Sequence, residues 1–151
     1  MLTAVAAVTL SVADPQRVAD AYARYLDYRV VVRGTVSAEL AALWNAPAMA
    51  GRDCLILQPA SGASVYLRLV QAAPLPGCGP MRTFGWNANE ILIEDPDAMA
   101  AALADSPFRI VGPPESLSSN AAVRAMQAVG PADELIYLTR IPPGGGVFIK
   151  T

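Results

Sequence analysis

The apolar and polar positions of this chain run through the same order twice. Val5–Leu26 reads VAAVTLSVADPQRVADAYARYL, an apolar strand pattern that enters an Asp-Pro step and then an apolar-rich helix. From Asn87 the chain reads NANEILIEDPDAMAAALADSPF, with the same succession. Asp14-Pro15 and Asp95-Pro96 occupy the same point in the two copies. An Asp at that point is a strong N-cap, because its side-chain oxygen accepts from backbone N–H groups left free in the first helical turn. Pro suits the first helical position, where it has no intrahelical hydrogen bond to lose. Two capped strand-to-helix units about eighty residues apart indicate a duplicated module.

The pattern predicts the remaining elements of each copy. In the first, strand Ala6–Val12 leads into a helix over Pro15–Tyr25, where Val18, Ala21, Tyr22 and Tyr25 form one apolar face. Arg29–Arg33, RVVVR, is a β-branched strand, and Ser37–Trp44 (SAELAALW) is a short helix capped by Ser37 that the second copy lacks. After the loop NAPAMAG come strands Arg52–Gln58 and Ser64–Val70, joined by the turn Pro59–Gly62. Ala72–Thr83 is rich in Pro and Gly and reads as a linker. In the second copy the predicted elements are strand Gly85–Ile93, a helix from Pro96 to Ala104 and strand Phe108–Val111. The loop PPESLSSN follows, then strands Ala122–Val129 and Glu134–Ile141 joined by Gly130–Asp133. The domain boundaries expected are 1–141 for the duplicated domain, with modules at about 5–71 and 85–141 and a linker at 72–84, and a tail or linker at 142–151.

Composition narrows the function. With 151 residues, 54% hydrophobic and 16% charged, the chain is long and apolar enough to bury a sizeable core. A net charge of −2, with 11 Lys and Arg spread along the sequence, leaves no basic stripe, so no nucleic-acid partner is expected. Thr9, Ser11 and Asp14 interrupt the apolar N-terminus, which reads as a buried strand and not as a signal peptide or a membrane span. Cys54 and Cys78 are not in a C-x-x-C arrangement, and reduced thiols in the cytoplasm are the default. The chain has no histidine. That excludes Ser-His-Asp and Cys-His catalysis and every imidazole metal site. No acidic cluster has the spacing for a carboxylate-only Mg or Ca site either. The mean hydropathy of +0.36 and the apolar SAELAALW and VFIKT segments call for cover, which a homodimer or a second similar domain would supply.

Two βαβββ units in tandem resemble the vicinal oxygen chelate superfamily, which includes glyoxalase I, the bleomycin-resistance proteins and the extradiol dioxygenases. The resemblance covers residues 5 to 141. It rests on VADP and IEDP at the ends of the two opening strands, and on GPADELIYL, similar to that family's final hairpin. It implies an α+β fold in which two tandem βαβββ modules form a U-shaped cleft around a small molecule. Metal-binding members take ligands from the first and last strands of each module, typically His and Glu. Those positions correspond here to Ala7 and Ala88 on the first strands, to Tyr137 on the last strand of copy two, and to Tyr66 or Arg68 in copy one. The resemblance is therefore to a metal-free member, with no metal and no cofactor implied.

Side chains two apart on a strand share a face, so the same resemblance directs further residues into the cleft. These are Thr9 and Ser11, Tyr66 and Arg68, Trp86 and Glu90, and Tyr137 and Thr139, and Arg124 is a further ligand-binding candidate. Glu90 is expected on a central, largely buried strand, where burial would poise it as a general base, or where it would pair with Arg68 or Arg124 and do no chemistry. Arg68 is suited to hold a carboxylate or enolate, or else to pair or reach the rim. Tyr66 and Tyr137, taken as matching positions, offer phenol hydrogen bonds or core packing, and Trp86 offers a stacking surface or a core aromatic. The Ser37–Gly51 insertion with Trp44 is placed to cover one mouth of the cleft or to make a dimer contact.

Three readings follow. One is a metal-independent enzyme acting on a small aromatic or carbonyl-bearing molecule, with Glu90 as base and Arg68 stabilising negative charge. Another is a ligand-sequestering protein of the bleomycin-resistance type. The third is the metal-free N-terminal half of a larger dioxygenase-like or lyase-like protein, since PPGGGVFIKT resembles an interdomain linker.

Overall fold

The structure, a computed structural model, describes residues 5–77, 79–80, 82 and 88–142. The chain divides into two compact units, Met1–Cys78 and Gly79–Thr151. Each is a four-stranded mixed sheet with a helix against one face, and the two are successive copies of one βαβββ plan.

In the first unit, β1 (Ala7–Val12) runs into α1 (Pro15–Tyr25), followed by β2 (Tyr28–Thr35), β3 (Asp53–Pro59) and β4 (Tyr66–Gln71). Between β2 and β3 lie the short helix α2 (Ala38–Leu43) and a single 3₁₀ turn, Pro47–Met49. The sheet order is β1-β4-β3-β2, with β1 parallel to β4 and the other pairs antiparallel. The start of α1 is held as the Asp-Pro step predicts: the Asp14 carboxylate accepts from the Arg17 backbone N–H at 3.0 Å, and Pro15 opens the helix. Val18, Ala19, Ala21 and Tyr22 of α1 are buried together with Leu57, Leu67 and Leu69 of the sheet. Tyr22 also meets Tyr28 edge-on, with ring centroids 5.5 Å apart, and burial raises the Tyr28 phenol above its ordinary pKa.

In the second unit, β5 (Ala88–Leu92), α3 (Pro96–Leu103), β6 (Arg109–Leu117), β7 (Asn120–Val129) and β8 (Leu135–Arg140) repeat the plan, in the order β5-β8-β7-β6. Asp95 caps α3 by accepting from the N–H groups of Asp97 and Ala98 at 2.9 and 3.2 Å. Leu103, Met126, Ile136 and Leu138 are fully buried and form the centre of this core. One expectation is corrected here: Pro113–Leu117, taken as part of a loop, continues β6. The prolines are tolerated because β6 is an edge strand, and the pairing with β7 shifts register on either side of Gly112 and again before Leu117. The expected linker at 72–84, strand residues 85–87 and the tail after residue 142 fall wholly or partly outside the described residues.

The turn joining β7 to β8 is tied by its own ends. Gly130 N–H donates to the Glu134 carbonyl at 2.8 Å, and Ala132 N–H donates to the buried Glu134 carboxylate at 2.8 Å. A Cβ at residue 130 would stand inside the contact distance of that carboxylate. Gly130→Ala should therefore lower stability by about 1–3 kcal/mol, read as a fall in the urea midpoint with an unchanged slope.

Candidate functional site

The side of the first sheet opposite α1 carries a hollow. It has a volume of 360 Å³ and is lined by Ala7, Val31, Val32, Ile56, Gln58, Tyr66 and Arg68. Strand register brings these together. Ala7 lies opposite Tyr66 and Thr9 opposite Arg68 on the parallel β1–β4 pair, Ile56 is beside Arg68, and Val32 is beside Ile56. Successive residues of a strand normally face opposite ways, yet Val31 and Val32 both line the hollow. The register shift between Val30 and Val32 accounts for this, since a bulge turns one extra side chain onto the face.

Arg68 is the chemically distinctive side chain of this site. Its Nη1 donates to the Thr9 hydroxyl at 3.4 Å, and its guanidinium carbon lies 5.3 Å from the centroid of the Trp44 ring. No carboxylate among the described residues pairs with it. Trp44 is held in turn by the α2 insertion. Ser37 caps that helix by accepting from Leu40 N–H at 3.2 Å, and Leu40, Trp44 and Met49 pack on the buried cluster Val36, Ala41, Cys54 and Val70. Burial pushes the Cys54 thiol above its ordinary pKa, with the Arg68 charge pulling the other way, and the thiol packs within this cluster. Gln58 donates its amide to the carbonyls of Gly62 and Ala63 at 3.2 and 3.0 Å, which fixes the β3–β4 turn at the border of the hollow.

Of the sequence-derived candidates, Thr9, Trp44, Tyr66 and Arg68 therefore cluster in the first unit. Ser11 is exposed on the same sheet face and does not line the hollow. Val31, Val32, Ile56 and Gln58 were not singled out from sequence. The alternation Cys54, Ile56, Gln58 along β3 carries a readable signal for two of them, whereas the bulge that presents Val31 leaves none in a run of three valines.

In the second unit Glu90 lies opposite Tyr137 on the parallel β5–β8 pair, on the sheet face away from α3. Two expectations for Glu90 are corrected. β5 is an edge strand of its sheet and Glu90 is exposed, not central and buried. It has no hydrogen-bond or ion-pair partner among the described residues. Arg124, expected in the cleft or as a partner of Glu90, is instead on the α3 side, where its Nε and Nη2 hold Asp97 at 2.6 and 2.7 Å. Residues 124, 126 and 128 share a strand face, and Met126 and Ala128 belong to the core beneath α3, so Arg124 has to point the same way. The matching of Tyr66 with Tyr137 is also corrected. Ala7 and Ala88 stand at the same distance before their capping Asp, and they lie opposite Tyr66 and Leu135 respectively. Tyr137 is thus the counterpart of Arg68, and Glu90 that of Thr9. Trp86 lies outside the described residues. Thr139 is buried, and its Oγ1 has no partner among the described residues.

The residues do not fit a His- and Glu-ligated metal centre. Ala7 and Ala88 have no donor atoms, Arg68 is a cation, and no group of three or more Cys, Asp or Glu among the described residues is placed to hold an ion. Among the described residues, no helix is long and apolar enough to cross a membrane.

No family model matches the sequence, and no curated protein matches it. Solved structures do match. The chain is similar to a glyoxylase/bleomycin resistance protein/dioxygenase domain from Frankia sp. EAN1pec, at 14% identity over 93% of each chain and a TM-score of 0.70. It is similar to a glyoxalase family protein from Bacillus cereus, at 14% identity over 91% of this chain and 92% of that one, with a TM-score of 0.68. A member of the glyoxalase/bleomycin resistance protein/dioxygenase superfamily from Sphaerobacter thermophilus DSM 20745 matches at 20% identity over 92% and 98%, with a TM-score of 0.64. The chain has the α+β, two-module fold of the vicinal oxygen chelate superfamily.

The Arg124–Asp97 pair ties β7 to α3 and has a pH signature. Arg124 holds the Asp97 carboxyl below the usual carboxylate range, chiefly by its hydrogen bonds. A depressed folded-state pKa stabilises above the unfolded value and ceases to do so as pH falls through the folded one. Urea midpoints of the wild type and Asp97→Asn should differ at pH 6 and converge as pH drops below about 3.9, the usual Asp value.

Proposed function

We propose that this chain is a metal-independent small-molecule-binding protein. Its first-unit hollow takes up a small aromatic or carbonyl-bearing ligand, and Arg68 holds the ligand's oxygen. The observation that carries this reading is a guanidinium without a carboxylate partner, set among Ala7, Val31, Val32 and Ile56 in a hollow of 360 Å³. Ligand pockets commonly measure about 300–1,000 Å³ and combine apolar walls with a few fixed polar groups. Sequestration is favoured over catalysis because the lining includes no carboxylate or thiol, and its one titratable group besides Arg68 is the Tyr66 phenol.

A saturation-transfer NMR screen of a fragment library against the full chain tests the proposal. Hits should shift the methyl resonances of Val31, Val32 and Ile56, and the shifts should survive EDTA. A library without such hits would refute it, and loss of binding on chelation would refute metal independence.

Glu90 supports a second, catalytic reading, since it is register partner to Tyr137 on the sheet face away from α3 and is itself exposed. Being exposed and without a partner, it should tolerate Glu90→Gln with a stability change within about 0.5 kcal/mol. If a carbonyl compound bound on the second sheet is consumed, the same variant should stop turnover and leave binding intact. Unaltered turnover would remove Glu90 from the chemistry.

A further inference from the structure

The Arg68–Trp44 contact specifies more than a pocket. We propose that the first-unit site selects a planar organic anion, an aromatic carboxylate, and that Trp44 acts as a positioning residue for the Arg68 fork. The proposal rests on the pocket reading above and narrows it to a ligand class.

The selection follows from what surrounds the guanidinium. A flat cation whose central carbon lies 5.3 Å from an indole centroid loses freedom about its long side chain, and the Thr9 hydroxyl, accepting from Nη1 at 3.4 Å, restrains it further. A fork fixed in this way matches a carboxylate, which accepts two parallel N–H groups in one plane. An aryl ring is coplanar with its own carboxylate, so docking the carboxylate on the fork directs the ring along the guanidinium plane. The groups available to receive it are apolar: Ala7, Val31, Val32 and Ile56. The charge count agrees, because the lining has one cation and no anion. A cationic ligand would meet Arg68 unopposed, and a neutral one would leave its charge without a counterion in a partly desolvated hollow.

Trp44 is supplied by α2, the helix for which the second unit has no counterpart between β6 and β7. The equivalent of Arg68 there is Tyr137, which has no charge to orient. The inserted helix and the arginine thus occur in the same unit, as expected if one exists to position the other.

Titration calorimetry and methyl NMR on the full chain, with 2-naphthoate, 2-naphthamide and decahydro-2-naphthoate as probes, test this directly. Naphthoate should bind ~10- to 100-fold more tightly than the amide, the ratio that one charge-assisted hydrogen bond supplies. It should also outbind the puckered decahydro acid at least tenfold. Arg68→Met should equalise naphthoate and naphthamide, while Arg68→Lys, which keeps the charge and the fold but loses the fork, should fall between. Trp44→Ala should weaken naphthoate and leave naphthamide unchanged, and Trp44→Phe should restore naphthoate. A merely structural Trp44 would lower the affinity of both probes alike. Equal affinity for the acid and the amide, with the Val31, Val32 and Ile56 methyls still shifting, would overturn anion selection and leave the pocket reading standing. If neither these probes nor a diverse fragment set shifts those methyls, the pocket reading itself fails.

Discussion

Each unit depends on one pairing between strands far apart in the chain. β1 lies parallel to β4, and β5 lies parallel to β8, although two strands and at least one helix separate the partners in sequence. Parallel strands cannot be joined by a tight turn, so the intervening chain has to fold over the sheet and return. The capped helix is what makes this possible. Asp14 and Asp95 stop the strand and start the helix at a fixed residue, and the helix buries its apolar side on the sheet. Once the strand ends there, the register of the parallel pair decides which side chains lie together on the face away from that helix. Thr9 meets Arg68 by that register, and Glu90 meets Tyr137 by the same rule.

Much of this frame is legible in the sequence, because it rests on local chemistry. The Asp-Pro starts, the Ser37 cap, the apolar face of α1 and the final hairpin each follow from residues within a few positions of one another. What is not legible depends on long-range pairing. Tyr66 and Tyr137 look equivalent as the tyrosines of the two last strands, and only the strand partners of Ala7 and Ala88 show that Tyr137 stands where Arg68 does. Arg124 reads as a cleft residue until its neighbours Met126 and Ala128 are seen to pack beneath α3. Prolines 113 and 114 read as loop residues, and they are accommodated in a strand only because β6 has a free edge.

The candidate site was partly legible for the same reason. Polar residues stand out in apolar strands, so Thr9, Tyr66 and Arg68 are identifiable, and Trp44 stands out in an insertion. The apolar walls are not. Val31 reaches the hollow through a bulge, and a run of three β-branched residues carries no alternation from which a bulge could be read. The reactive-looking residues also changed rank. Glu90 loses the burial that made it a base of interest, and Arg68 gains a defined setting between a hydroxyl and an indole ring.

The two units show how one backbone plan can be kept while its surface chemistry diverges. Equivalent strand positions hold Thr9 and Arg68 in one copy and Glu90 and Tyr137 in the other, so the side-chain charge is positive in the first and negative in the second. Neither change disturbs the core, since all four side chains lie on the face away from the packed helix. Positions that the fold fixes in space but does not bury are free to vary in chemistry at little cost in stability. The same reasoning explains why a shared fold at 14–20% identity leaves the ligand to be argued from the site itself. In this chain the argument runs through the one cation in the first hollow and the inserted helix that holds an indole against it.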